Sequence, residues 1–184
     1  WIVVLWLVMG ARQVIVPRAD PLGILQATPT HRVPTLLLPP TVIYAMLAHP
    51  QVRAFNYRAL KYFSYAAAPM SSEKLEEAIA IFGSVMAQTY GQAESPMLCT
   101  FLSPQDHDVV GNPSLERRLQ SCGRPTVFTP VEIMDDEGNL LGPEQAGEIV
   151  TRGNLVMKGY YNNPEAIEQA STFGWHHTGD VGLK

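Results

Sequence analysis

Cysteine is scarce in this chain: Cys99 and Cys122 are the only two in 184 residues. They show no CxxC spacing and are too few for a disulfide scaffold, which points to a reducing compartment, the cytoplasm, and to structural thiols. Charge is sparse as well, with 13 basic against 17 acidic residues and a net charge of −4. So mild a field draws the chain neither to nucleic acid nor to an anionic bilayer, and no basic patch with interleaved aromatics occurs. The opening apolar run WIVVLWLVM ends at residue 9. That is less than half of the ~20 residues that cross a bilayer, and no basic segment precedes it, so no transmembrane segment is expected and the run reads as a buried element. A GxxxxGKS/T phosphate loop, a GxGxxG fingerprint, a GxSxG elbow and an HExxH helix are all missing. Of five histidines only His176 and His177 are adjacent. Strand neighbours point to opposite faces, which disfavours one metal held by both. The DDE run at 135–137 reads as a solvated hairpin turn ending in Gly138 rather than a calcium site.

What is present suffices for one ordinary core, or a core with a small satellite: 46% apolar, 9% aromatic and 16% charged residues. A start at Trp1 inside an apolar run, and an end at GLK without a polar tail, suggest an internal piece of a longer polypeptide. Short runs at 13–17 (QVIVP), 35–39 (TLLLP) and 85–90 (VMAQTY) read as strands. Pro40 to Leu47 reads as a helix. SSEKLEEAIAIFG is a stronger one, because Leu75, Ala78, Ile79 and Phe82 recur on one face, Ser71 or Ser72 can cap, and Gly83 stops it. Alternating strands and helices predict an α/β unit with a mostly parallel sheet over residues 1–120, of which the polar stretch 103–120, broken by Pro104, Gly111 and Pro113, forms a surface crossing. Residues 121–184 predict a small antiparallel sheet or distorted barrel, with hairpin and strand in VEIMDDEGNLL and GEIVTRG and a brief helix capped by Asn163 and begun by Pro164.

Four stretches, in order, carry the chemistry: SYAAAPMS at 64–71, TYGQAES at 89–95, SCGRP with GEIVTRG, and GWHHTGD at 174–180. Each alone is weak. Together, at these separations, they resemble the core of the adenylate-forming superfamily, and YGQAE, LPPTVIY and GWHHTGDVG look most like acyl-CoA synthetases. The resemblance covers nearly the whole chain and implies part of that superfamily's large N-terminal domain.

It also implies a reaction: a carboxylic acid attacks the α-phosphorus of ATP, pyrophosphate leaves, and the thiol of coenzyme A then displaces AMP. An anion must approach a polyanion, so such a site needs positive charge and fixed geometry. Tyr90 would lie flat against adenine, and Gly91, with no side chain, would let the nucleotide approach the backbone. Glu94 would ligate Mg²⁺, a hard cation that prefers oxygen. By the resemblance, Gln92 would line the nucleotide and acyl cavity with Gly91, Ala67, Ala68 and Pro69 would border the adenine, and Thr89 would belong to the nucleotide motif. Asp180 would accept hydrogen bonds from the ribose hydroxyls, with Thr178 shaping its turn. Singly, Tyr90 could be an ordinary strand-end aromatic, Glu94 a helix N-terminal acid and Asp180 mere turn chemistry. Where the family usually has Thr, this chain has Ala93, losing a hydrogen bond to a charged group typically worth ~1.5–3 kcal/mol. The family's phosphate loop and its C-terminal catalytic lysine find no match, so the 184 residues alone are expected to be inactive. Transfer to a carrier-protein thiol, or a non-catalytic nucleotide-binding module, stand as alternatives. The largely apolar lining offered by TVIY at 41–44 and by residues 91–97 suits a fatty or aryl acid.

Overall fold

The computed structural model describes residues 2–109 and 113–184. Gly111, placed by the sequence in the surface crossing, lies outside them. The chain divides into two compact units, Trp1–Met86 and Ala87–Lys184.

In the first unit, Asp20 caps α2 (Pro21–Thr30) by accepting from the Gly23 N–H at 2.8 Å, after α1 (Ile2–Val8). Pro21 occupies a first helical position, where its missing N–H costs nothing. β1 (Thr35–Leu38) pairs in parallel with β2 (Tyr62–Tyr65), and α3 (Pro40–Leu47) and α4 (Ser72–Phe82) bury one face each. α4 begins on the Ser71 side chain and ends at Gly83, as the sequence predicts. Its buried Leu75, Ala78 and Phe82 join a core with Phe63, Tyr65, Ile43 and Met46. Phe82 meets Tyr57 and Phe63 edge to face at 4.8 and 5.1 Å between ring centres, the arrangement that ring quadrupoles favour.

Two expectations fail here. QVIVP forms no strand, and Ile15 is 88% exposed. A strand exists only where a neighbour pairs with it, and the flanking Pro17 removes a donor. α1 is apolar on every side yet exposed, from Trp6 at 41% to Val8 at 81%. Apolarity supplies one half of a buried contact; the other half must come from a second surface. Among the unpredicted elements are α2, whose Gly23 and Pro29 mask its Asp-Pro start, and β2, whose burial alternates along YFSY.

In the second unit β3 (Met86–Tyr90), begun by the last residue of the first, pairs antiparallel with β4 (Thr100–Leu102), and β4 with β5 (Arg124–Pro125). A separate antiparallel sheet runs β6 (Val131–Met134), β7 (Gly147–Thr151), β8 (His176–Gly182), with α5 (Pro164–Ala170) leading into β8. Parallel strands flanked by helices, followed by a small antiparallel sheet, is the α/β class the sequence indicates. Asp135 organises the predicted turn after β6: its carboxylate accepts from the N–H groups of Glu137 and Asn139 at 3.0 and 2.8 Å. Asn163 caps α5 through the Ala166 N–H at 3.1 Å. Met134, Val150 and Trp175 form a buried cluster, with the Arg152 guanidinium 4.5 Å over the Trp175 ring. Among the described residues no helix is long and apolar enough to cross a membrane.

Candidate functional site

The candidate site lies in the second unit, where β3 ends. The chain leaves Tyr90, turns back on itself through Gln92 N–H to Ser95 C=O at 3.1 Å, and rejoins β3 when the Cys99 N–H bonds the Tyr90 carbonyl at 3.1 Å. Gly91 makes this return possible. A Cβ there would come within 2.4 Å of the Met97 nitrogen and 2.7 Å of the Ser95 carbonyl oxygen, so the chain itself demands glycine, whatever approaches from outside.

From β8, 90 residues away in sequence, Asp180 meets this loop. The Tyr90 hydroxyl donates to Asp180 Oδ2 at 2.6 Å. Burial, then the bond to Asp180, push the Tyr90 phenol well above its ordinary range, so it stays protonated and donates. Gln92 adds a second tie, its amide donating to the Thr178 carbonyl at 3.2 Å. The sequence predicts a turn at Thr178 and Gly179; instead both lie within β8, at an irregularity in its pairing with β7. Glu148 pairs with Val181 and Val150 with His177, so Thr178, Gly179 and Asp180 all stand opposite Ile149 alone. Such a bulge re-aims a side chain that regular pleating would send elsewhere.

The bulge is well bonded. The Thr178 hydroxyl donates to the Ile149 carbonyl at 2.6 Å and accepts from the Asp180 N–H at 3.2 Å. Glu148 accepts from the Gly179 N–H at 2.8 Å through one oxygen and from His177 Nδ1 at 2.7 Å through the other. His177 Nε2 pairs with the Thr172 hydroxyl at 2.7 Å. Burial raises the Glu148 carboxyl, but its donors, His177 foremost, outweigh that and hold it below the ordinary value.

Glu94 is anchored from a third direction. Its carbonyl accepts from the Met157 N–H at 2.7 Å, and its Oε1 accepts from the Tyr160 hydroxyl at 2.9 Å. This bond raises the Tyr160 phenol above its usual range. Nothing in the sequence pointed to Tyr160, which stands three residues before Asn163, the cap of α5.

The other nominated residues are more dispersed. Thr89 precedes Tyr90 in β3 and therefore faces the opposite side. Its hydroxyl is buried without a partner among the described residues. Ala93 is exposed on the loop. Ala67, Ala68 and Pro69 belong to the first unit, where they form an exposed bend after β2, with Ala67 in the left-handed region at φ 73°.

The donor set suits a hard cation carried by a phosphate substrate. Among the described residues no group of three or more His, Cys, Asp or Glu could form a cage. Mg²⁺ needs none: it keeps water and substrate phosphate ligands and takes one or two carboxylates from the protein. Glu94, partnered at one oxygen, is a carboxylate of that kind.

Comparison with known proteins gives a consistent picture. The family described as AMP-binding enzyme matches residues 1–161. The medium/long-chain-fatty-acid–CoA ligase FadD8 of Mycobacterium tuberculosis is 36% identical over 174 residues, 95% of this chain and 29% of the relative. A feruloyl-CoA synthase of an Amycolatopsis species is 30% identical over 175 residues, 95% of this chain and 34% of the relative. In solved structures, the N-terminal domain of FACL13 from Mycobacterium tuberculosis matches with a TM-score of 0.85 at 26% identity, covering 99% of this chain and 44% of that one. The amide bond synthetase McbA of Marinactinospora thermotolerans matches at 0.80 with 31% identity, covering 89% of this chain and 32% of that one. The chain thus spans about a third of the length of the curated relatives it matches.

Proposed function

This chain belongs to the AMP-binding enzyme family, and from that membership we propose that it serves ATP-dependent activation of a carboxylic acid followed by thioester formation with coenzyme A. The observation that carries this reading is the Tyr90–Asp180 hydrogen bond of 2.6 Å, which joins two family-like motifs 90 residues apart. Asp180 uses one oxygen on Tyr90 and has a second with which to accept from ribose hydroxyls. Tyr90, fixed by that bond, presents its ring to the purine. Gly91 and Gln92 line the cavity beside it.

In the first step a carboxylate oxygen of the acid forms a bond to the α-phosphorus, and the bond from that phosphorus to the bridging oxygen breaks, releasing pyrophosphate. In the second the thiol sulfur bonds to the acyl carbon, AMP departs with the electron pair, and the thiol proton goes to solvent. Glu94 would hold Mg²⁺, which when bound neutralises charge on the phosphates. The protein's own contribution is placement: aligning the acid with the phosphorus replaces a bimolecular encounter and can supply ~7–11 kcal/mol of the barrier.

The named activities of FadD8 and of the feruloyl-CoA synthase support a fatty or aryl acid as substrate. Transfer to another acceptor is the second reading, favoured by the likeness to an amide bond synthetase. Residues 121–184 are proposed as the β subdomain, and the cytoplasm as the compartment, the latter resting on two free cysteines. Since the chain covers 29–34% of those relatives, these residues alone are proposed to be inactive. The test is acid-dependent ATP–pyrophosphate exchange, run with a panel of fatty and aryl acids on the natural polypeptide and on the 184-residue chain. Exchange by the natural polypeptide only is expected; exchange by the short chain overturns the inactivity, and no exchange by either overturns the ligase reading.

A further inference from the structure

We infer that Glu148 is the positioning residue of Asp180: it staples the β8 bulge and thereby aims Asp180 at the ribose hydroxyls. The inference rests on the nucleotide reading above. A bulge of three residues opposite one leaves surplus N–H groups that regular pairing would have satisfied. Here each surplus group near Asp180 has its own acceptor, Glu148 for the Gly179 N–H and the Thr178 hydroxyl for the Asp180 N–H. Glu148 stands on the neighbouring strand, paired with Val181, so its carboxylate spans the irregularity from beyond it to His177 on the other side. The ionised carboxylate only accepts, so His177 donates through Nδ1 and, when neutral, accepts from Thr172 at Nε2. Thr172, His177, Glu148, Gly179, Asp180 and Tyr90 form one continuous chain of contacts.

Gly179 has φ +75° with open space where a Cβ would be. The glycine therefore serves backbone conformation, and it is the residue whose N–H Glu148 takes. Without that bond the bulge can slip, and a slip of one residue sends each side chain to the other face. Asp180 would then leave Tyr90. A merely structural ion pair on the sheet would weaken folding without touching ribose recognition, and this difference makes the inference testable.

The measurement is calorimetric binding of AMP and of 2′,3′-dideoxy-AMP to the natural polypeptide and its variants, reported as the ratio of the two affinities. Asp180→Ala is expected to abolish the preference for AMP; if it does not, the ribose role of Asp180 is wrong and the inference falls with it. Given that loss, Glu148→Met, which removes both acceptor oxygens, is expected to lower the ratio at least tenfold while leaving dideoxy-AMP affinity within twofold, and Glu148→Met added to Asp180→Ala is expected to lose nothing more. A Glu148→Met ratio within twofold of wild type overturns the inference. Should that variant fail to fold, His177→Phe frees one carboxylate oxygen and keeps the Glu148 charge. Its ratio is then expected to fall at least threefold, and an unchanged ratio overturns the inference equally.

Discussion

Two loops leave strands that end in tyrosine, residues 66–70 after β2 and residues 91–99 after β3, and they are built on opposite plans. The first offers shape. Its Tyr65 is fully buried, and Ala67, Ala68 and Pro69 lie exposed, with Ala67 in a left-handed conformation that costs an L-residue roughly 1–2 kcal/mol. The second offers functional groups. Tyr90, Gln92 and Glu94 each reach a partner 66 to 90 residues away. A small apolar loop can be specified by its own few residues, whereas a loop bearing polar groups needs distant chain to hold them.

Breaking the second loop at its acid gives the largest effect. Glu94→Gln is expected to slow acid-dependent pyrophosphate release by ~10²–10³-fold, the equivalent of several kcal/mol of lost charge stabilisation. Loss of its partner is milder. Tyr160→Phe is expected to weaken metal binding about tenfold, the low end for groups that orient a metal ligand, as read from Mn²⁺ titration in the presence of ATP. A value unchanged from wild type would put Glu94 back among self-sufficient loop residues and erase the contrast.

The first loop is sharpened by stability instead. Ala67→Val is expected to cost about 1–2 kcal/mol and Ala67→Gly to gain up to ~1 kcal/mol in denaturant unfolding. Equal stability in all three would mean that the backbone there carries no strain. The smallest effect is electrostatic. The folded Glu148 carboxyl lies below its ordinary value of 4.5, so its contribution is present above pH 4.5 and lost as pH falls through the folded value. Wild type and Glu148→Gln should therefore converge in stability on acidification below about pH 4.5.

Local chemistry was legible where it was self-contained. Pro40 opens α3 by its own ring geometry, while Ser71 opens α4, Asn163 opens α5 and Asp135 closes its turn, each of these three within four residues of its partner. QVIVP and α1 misled because pairing and burial depend on a second surface that no window along the chain contains. The site divides the same way. Motifs nominated Tyr90, Glu94 and Asp180, while Tyr160 and the pairing of Glu148 with His177 stayed hidden, since these contacts cross 66 and 29 residues without any periodic trace. His177 was visible only as one of two adjacent histidines unsuited to share a metal. The HHTGD stretch looked like a turn because Thr-Gly-Asp is turn chemistry, and only the β7 register turns it into a bulge.

That register separates scaffold from function in an unexpected way. Excising Gly179 and Asp180 would leave Thr178 opposite Ile149, with Glu148 and Val181 on one side and Val150 and His177 on the other, all in unbroken alternation. The ribbon is therefore two residues longer than its architecture needs. One of the two spare residues, Asp180, is the one proposed to read the sugar, so a single two-residue deletion would keep the strand pairing while removing the group that recognises the nucleotide.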